Sequence, residues 1–280
     1  MLALSGTELA KEIKADVSRK IEEHLKEGKR PPCLVTILVG DDPASKVYVA
    51  NKEKACNSVG IINDTIKLPE YTSENDLLRV IDFYNNDVTV DGILFQLPLP
   101  AHINSDVVIK AINPDKDVDC FHPVNVANLW LGKDGIKPCT PQGIIDLLDY
   151  GNIDLRGKHV VVLGRSNIVG LPVAKMCLDR NATVTVCHSK TKDLKEITRT
   201  ADVLIVAIGK PKFINNSYLK PGSVVIDVGI NKVDGKLCGD VDYDSIQLKA
   251  SYATPVPGGV GPMTIACLLK NTLKCYGHSK

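Results

Sequence analysis

The chain has 280 residues, 44% of them apolar and 24% charged, with a formal net charge of +1. That length suits two modest lobes with a core each, and a near-neutral chain without a long basic stretch gives no support for a nucleic-acid or membrane-surface partner. The nine cysteines are scattered, odd in number and never spaced Cys-x-x-Cys, which argues against a disulfide framework or a structural metal site and fits a reducing compartment.

Met1 to Lys20 mixes Glu8, Lys11, Glu12, Lys14 and Asp16 among its apolar residues, so it lacks the apolar core of a signal peptide. No stretch approaches the roughly 18 to 20 apolar residues of a membrane span. A soluble, cytoplasmic protein is expected. Cys33 to Val39 then reads as a strand, and Ala44 to Ser58 as a helix stopped by Gly60. On that helix Tyr48 and Lys52 stand four residues apart, hence on one face, where a phenol and an amine can hold and relay a proton. Alone, the pair reads more readily as an amphipathic face with a half-buried tyrosine and a solvated lysine.

Thr65 to Leu68 is a second short strand, and Ser73 caps a helix through Tyr84, with Asp76 completing a partial capping box. Gly92 to Leu97 is a buried strand ending in Gln96-Leu97-Pro98-Leu99-Pro100, where the prolines forbid further central pairing. Thr140-Pro141 opens a helix from Gln142 to Tyr150 that connects the lobes. His159 to Leu163 is almost wholly apolar, as at the centre of a parallel sheet. Further strands read at Thr183 to Cys187, Val203 to Ile208 and Val224 to Val228. The tail, Met263 to Tyr276, is helical in pattern.

The expected fold is therefore two α/β lobes. The first spans 1–140 plus the C-terminal helix, 263–280, packing back on it. The second, 141–262, is Rossmann-like with a parallel sheet.

Gly164-Arg165-Ser166-Asn167-Ile168-Val169-Gly170 lies between the His159 strand and a helix opening near Pro172. Glycine lets the backbone approach a phosphate, and a helix N-terminus favours the negative charge. The spacing is not G-x-G-x-x-G, and a turn with two glycines is as often a plain connection. Arg165 shifts the balance, because a guanidinium there can grip the 2′-phosphate of NADP. The next strand ends at His188-Ser189-Lys190, where an NAD-binding lobe would carry a carboxylate; none occurs before Asp193. Donors and a cation in that place favour NADP over NAD.

Taken in order, these motifs resemble the bifunctional methylenetetrahydrofolate dehydrogenase/methenyltetrahydrofolate cyclohydrolase family over nearly the whole length. They are Tyr48 to Lys52; Asp91-Gly92-Ile93 leading to Gln96-Leu97-Pro98; Lys116-Asp117-Val118-Asp119; Pro138-Cys139-Thr140-Pro141; Gly164 to Gly170; Asp227-Val228-Gly229-Ile230-Asn231; and Thr254-Pro255-Val256-Pro257-Gly258-Gly259-Val260-Gly261-Pro262-Met263-Thr264. The last and longest is the most specific.

The resemblance implies NADP-dependent oxidation of methylenetetrahydrofolate, then hydrolysis of the methenyl cation to formyltetrahydrofolate. The first step needs alignment; the second needs a proton acceptor and donor at the reacting carbon. By family analogy Lys52 is that group, and like-charge repulsion from the cationic substrate would favour an uncharged amine there. Tyr48 and Gln96 would orient it, with Leu97 beside them, and Asp119 would accept hydrogen bonds from the pterin. Pro257, Gly258 and Gly259 would line the folate mouth. Gly164, Arg165, Ser166, Ser189 and Ile230 would contact NADP, with no metal, and the enzyme would be a homodimer. The competing readings are the same fold with only the cyclohydrolase, and a catalytically silent folate- or nucleotide-binding module. Read without the family, Asp117 and Asp119 are turn or cap residues, Gln96 a polar strand end and Ile230 an ordinary loop residue.

One position departs from the pattern. The family carries glycine after Asp-Val-Asp; this chain has Cys120. A left-handed backbone there would strain the loop or shift Asp119, whereas an ordinary backbone would make cysteine a small filler. The filler is expected.

Overall fold

The computed structural model describes residues 1–278. In chain order its regular elements begin with β1 (Leu2–Ala3), α1 (Gly6–Lys26), β2 (Cys33–Val39), α2 (Pro43–Val59), β3 (Ile62–Leu68), α3 (Glu74–Asn86), β4 (Gly92–Phe95), α4 (Ser105–Ala111), α5 (Pro123–Trp130) and α6 (Cys139–Tyr150). They continue with β5 (His159–Leu163), α7 (Gly170–Leu178), β6 (Thr183–Cys187), α8 (Leu194–Arg199), β7 (Val203–Val206), β8 (Val224–Asp227), β9 (Asn231–Val233), β10 (Lys236–Cys238), α9 (Tyr243–Ile246), β11 (Tyr252–Ala253) and α10 (Val260–His278).

The chain divides into two compact units. One comprises Glu12–Cys139 with the residues from Ile265 on; the other comprises Met1–Lys11 and Thr140–Thr264.

The first unit is built on a parallel sheet ordered β3-β2-β4. The central strand β2 is apolar from Leu34 to Val39 apart from Thr36, and all six residues are buried. Strand β3 starts at Ile62, three residues before the expected Thr65. Pairing runs residue for residue from Cys33↔Ile62 to Val39↔Leu68, and the ladder carries the polar Asn63 and Asp64 with it. Thr36 Oγ1 donates to Asn63 Oδ1 at 3.1 Å, which satisfies one of them. Strand β4 ends at Phe95 rather than Leu97, although Gln96 N still donates to Ile37 O at 3.0 Å. Gly92 is required in β4, since a Cβ there would lie 2.5 Å from Val118 Cγ1. Ser73 caps α3 by accepting from Asp76 N at 3.1 Å.

In the second unit a six-stranded sheet runs β1-β11-β8-β7-β5-β6, parallel at every pairing. Val160 to Leu163 of β5 are fully or almost fully buried between β6 and β7, as an interior parallel strand should be. The first eleven residues, expected with the 1–140 lobe, cluster here instead. Leu2↔Tyr252 and Ala3↔Ala253 pair in parallel and add an edge strand too short to show as an apolar pattern. Strands β7 and β8 stop at Val206 and Asp227, earlier than expected, while α6 and α10 each begin three residues early.

Candidate functional site

In the first unit the site starts with helix α2. Asp42 Oδ2 accepts from Ser45 N at 2.7 Å, Pro43 occupies the first turn, and Gly60 at φ +86° terminates the helix. The i, i+4 spacing places Lys52 Nζ 5.1 Å from the centroid of the Tyr48 ring, a cation–π distance. Lys52 is only 7% exposed and Tyr48 is half-buried. The amine donates to Gln96 Oε1 at 3.2 Å, and Gln96 Nε2 donates to Leu97 O at 2.8 Å. Gln96 is thereby turned with its oxygen toward the lysine, held by the backbone that follows β4. Leu97 itself acts through its carbonyl, ahead of a cis bond to Pro98.

Asp119 completes the cluster. Burial pushes its carboxyl above the ordinary range; the Lys52 charge pulls it back, Asp117 pushes it up further, and a hydrogen bond from the Cys139 thiol lowers it. The Tyr48 phenol is pushed up by burial first, then by the nearby Asp119 and Cys139. Cys139, buried and pushed well above the usual thiol range, stays protonated and can donate. Tyr48, Lys52, Gln96 and Asp119 are thus brought together, and Cys139 joins them. Its sequence signal was the Pro138-to-Pro141 motif, but nothing in the spacing of residues 119 and 139 announces that contact.

The two aspartates of Lys116-Asp117-Val118-Asp119 have different jobs. Asp117 is buried and accepts from Phe121 N at 3.2 Å, His122 N at 2.8 Å and Asn125 Nδ2 at 2.9 Å, the turn role anticipated for it. Lys116 Nζ donates to Tyr84 O and Asp87 O at the end of α3. Asn271 on α10 fastens the segments that carry Asp119 and Cys139, donating to Val118 O and Lys137 O, both at 2.8 Å.

Cys120 corrects an expectation. Its φ is +62°, so the backbone is left-handed and cysteine is not a filler on an ordinary strand. The three donors converging on Asp117 close the turn around it and impose that conformation. The side chain is 1% exposed and its thiol donates to Ile136 O at 3.2 Å, which offsets part of the strain.

In the second unit Gly164, at φ +125°, follows β5. A Cβ there would lie 2.2 Å from Ala207 O, and one at Gly170 would lie 2.3 Å from Gly164 O. The two glycines create a close backbone fold at the N-terminus of α7, a cradle that any side chain would fill. Ser166 Oγ accepts from Val169 N at 3.2 Å and Gly170 N at 3.3 Å, so it shapes the loop and keeps its hydroxyl proton available. Arg165 is exposed. At the end of β6, His188 folds into the turn, its Nδ1 accepting from Lys190 N at 3.1 Å, while Ser189 and Lys190 are exposed. No carboxylate occurs at that strand end before Asp193, so the residues present fit NADP.

Ile230, 53% exposed, lies just past β8, at the carboxyl edge of the sheet. Gly258 has φ +103°, and a Cβ at Gly259 would lie 2.5 Å from Pro255 O. Gly258 O accepts from Thr7 N at 3.0 Å, so Pro257-Gly258-Gly259 packs on the N-terminal residues within the unit that also carries the Gly164 turn.

Comparison with known proteins agrees with both halves. The tetrahydrofolate dehydrogenase/cyclohydrolase catalytic domain matches residues 4–119, and the NAD(P)-binding domain of the same family matches residues 138–280. The bifunctional protein FolD of Halalkalibacterium halodurans is 54% identical over 271 residues, 97% of each chain. Among solved structures, the bifunctional FolD dehydrogenase/cyclohydrolase of Campylobacter jejuni superposes with a TM-score of 0.98 at 49% identity, over 99% of each chain. The Trypanosoma brucei methylenetetrahydrofolate dehydrogenase-cyclohydrolase, solved with NADP and an inhibitor, gives 0.95 at 38% identity over 100% of this chain and 98% of its own. On both its domains and its whole-length relatives, the chain belongs to the tetrahydrofolate dehydrogenase/cyclohydrolase family.

Proposed function

We infer that the protein is a bifunctional enzyme of one-carbon folate metabolism. It oxidises methylenetetrahydrofolate with NADP and hydrolyses the resulting methenyltetrahydrofolate to formyltetrahydrofolate. The observation that carries this reading is the buried Lys52 amine held between the Tyr48 ring and Gln96 Oε1, beside Asp119, in a chain whose residues 138–280 match an NAD(P)-binding domain.

NADP supplies the hydride acceptor. In the oxidation one hydride leaves the methylene carbon and leaves a delocalised cation, so the protein need only align donor and acceptor. In the hydrolysis water adds to that carbon and loses one proton; the hydroxyl so formed gives up its own proton as the carbon–nitrogen bond to the ring breaks and the ring nitrogen takes one up, leaving the formyl group. One proton is released overall. Lys52 Nζ is the acceptor and donor in this scheme, Gln96 aims it, and Tyr48 shields its charge from solvent. Asp119 anchors the pterin. Arg165 and Ser189 read the 2′-phosphate, Gly164 and Ser166 form the phosphate cradle, and Ile230 contacts the cofactor at the sheet edge. Pro257, Gly258 and Gly259 are assigned to folate binding on the family resemblance of their turn.

No helix among the described residues is long and apolar enough to cross a membrane. The working form under this reading is a cytoplasmic homodimer. Turnover of methylenetetrahydrofolate with NADP and with NAD, followed by methenyl hydrolysis in the same sample, tests it. A sample that neither reduces NADP nor loses the methenyl absorbance would overturn the assignment.

A further inference from the structure

Two buried carboxylates, one at the end of β8 and one two residues past β10, take no part in the chemistry described above. Asp227 is 4% exposed and Asp240 is fully buried. Among the described residues neither forms an ion pair with lysine or arginine; both are held mainly by backbone N–H groups. Asp227 Oδ1 accepts from Gly229 N at 3.0 Å and Asp240 N at 2.9 Å, and its Oδ2 accepts from Val241 N at 3.0 Å. Asp240 Oδ2 accepts from Ile208 N at 2.7 Å and Gly209 N at 2.9 Å, while its Oδ1 accepts from Asn231 Nδ2 at 2.9 Å.

The arrangement is reciprocal. A Cβ at Gly239 would lie 1.8 Å from Asp227 Oδ2, and a Cβ at Gly229 would lie 2.3 Å from Asp240 Oδ1. Each carboxylate therefore sits over a glycine beside the other. Burying two like charges side by side without a cation is costly, and a neutral pair would serve stability better. Burial and the adjacent Asp240 together push Asp227 up to about 6, against the pull of its N–H donors. What the carboxylates uniquely provide is fixed backbone at two strand exits. Ile208 and Gly209 follow β7, and Gly229 to Asn231 follow β8. The β7 exit also touches the phosphate cradle, because Gly164 packs directly on Ala207 O.

We propose that Asp240 and Asp227 form a reciprocal carboxylate lock that holds the β7 and β8 exits in the shape NADP requires, making Asp240 a positioning residue for the dehydrogenase. The proposal rests on the cofactor reading given above. It separates the two activities, since hydrolysis of the methenyl cation uses no hydride acceptor.

Asp240→Asn keeps the size and one acceptor oxygen, but loses the charge and sets an amide donor against Asn231 Nδ2. It is expected to raise the KM for NADP about tenfold and lower dehydrogenase kcat severalfold, with cyclohydrolase kcat/KM within twofold of the parent and the folate KM unchanged. Asn231→Ala removes only the contact to Asp240 Oδ1 and is expected to raise the KM for NADP two- to fivefold; it carries the test if Asp240→Asn fails to fold. Proportional loss of both activities with a lowered Tm would mean that the pair only stabilises the fold, and an unchanged KM for NADP in both variants would refute the lock. Arg165→Ala serves as the reference. If it weakens NADP while the lock variants do not, the lock alone is wrong; if it too leaves NADP affinity unchanged, the cofactor reading itself has failed.

Discussion

Replacing Lys52 with methionine isolates the proposed proton carrier from the rest of the proposed folate site. The lysine stem is packed, with the residue 7% exposed, and methionine fills nearly the same volume, so the helix and its core contacts should survive. What disappears is the amine 3.2 Å from Gln96 Oε1. Loss of a positioned acid–base group costs about 10²- to 10⁴-fold, or roughly 3 to 5.5 kcal/mol of transition-state stabilisation. The cyclohydrolase kcat should fall by that amount. The dehydrogenase step transfers no proton at this point and should lose far less.

A second consequence follows from the neighbouring carboxylate. Burial and Asp117 push Asp119 up, and Lys52 is the charge that holds it down. With that cation gone, Asp119 takes up its proton at a higher pH than in the parent. Folate binding that depends on the ionised carboxylate should then weaken as pH falls, and weaken earlier in Lys52→Met. The assay is stopped-flow decay of methenyl absorbance, paired with NADPH formation from methylenetetrahydrofolate, each across pH 6 to 8.5. Cyclohydrolase turnover within a few-fold of the parent would refute the assignment of Lys52. Equal losses in both activities at every pH would show that the lysine serves binding and not proton transfer.

Other variants probe the remaining assignments. Arg165→Ala should weaken NADP by about one to two decades, the worth of a charge-assisted phosphate contact of roughly 1.5 to 3 kcal/mol, and should barely affect NAD; titration of both cofactors decides it, with Ser189→Ala as a weaker copy. Asp119→Ala should depress both activities together and leave NADP affinity unchanged, so steady-state kinetics showing loss of one activity alone would contradict a shared pterin anchor. Cys120→Gly relieves a left-handed cysteine but forfeits a buried thiol and adds unfolded-state freedom, terms of about 1 kcal/mol each. Its thermal midpoint should move little and folate affinity should hold or improve; much weaker folate binding would make the thiol a working part of the site. Asp227 carries a pH signature: its folded value of about 6 exceeds the ordinary 3.8, so the folded state binds that proton more tightly. Its contribution is therefore most favourable below pH 4 and is lost as pH rises through 6, by up to about 3 kcal/mol. Urea midpoints of the parent and Asp227→Asn between pH 4 and 7 should converge in slope only above that window.

Much of this was legible because parallel α/β chains announce themselves locally. His159–Leu163, almost wholly apolar, and Thr183–Cys187, with valine alternating with threonine, are strands with the boundaries the pattern gives. The i, i+4 spacing of Tyr48 and Lys52 likewise placed both on one face of α2. What escaped was whatever depends on a distant partner. Leu2–Ala3 is a strand only because Tyr252–Ala253 offers an edge some 250 residues away. Ile62–Asp64 is a strand only because Cys33–Val35 lies beside it.

The same limit governs the site, and the loop from Lys116 to Cys120 shows why. Its two aspartates are chemically identical and two residues apart, yet one binds the backbone of its own turn while the other stands within reach of Lys52 and Cys139. Composition cannot divide those roles; the turn does, by spending Asp117 on the amides of Phe121 and His122. That closure is also what drives Cys120 to φ +62°, so the departure from the family's glycine is tied to the carboxylate three residues before it. The position tolerates cysteine because its thiol is buried against Ile136 O, and packing of that kind can offset a left-handed strain of about 1 to 2 kcal/mol. The Asp119 loop is thus determined by Asp117, Cys120 and Asn271 acting on backbone, and the residue that meets the pterin in this reading is held by neighbours whose chemistry alone would not have singled them out.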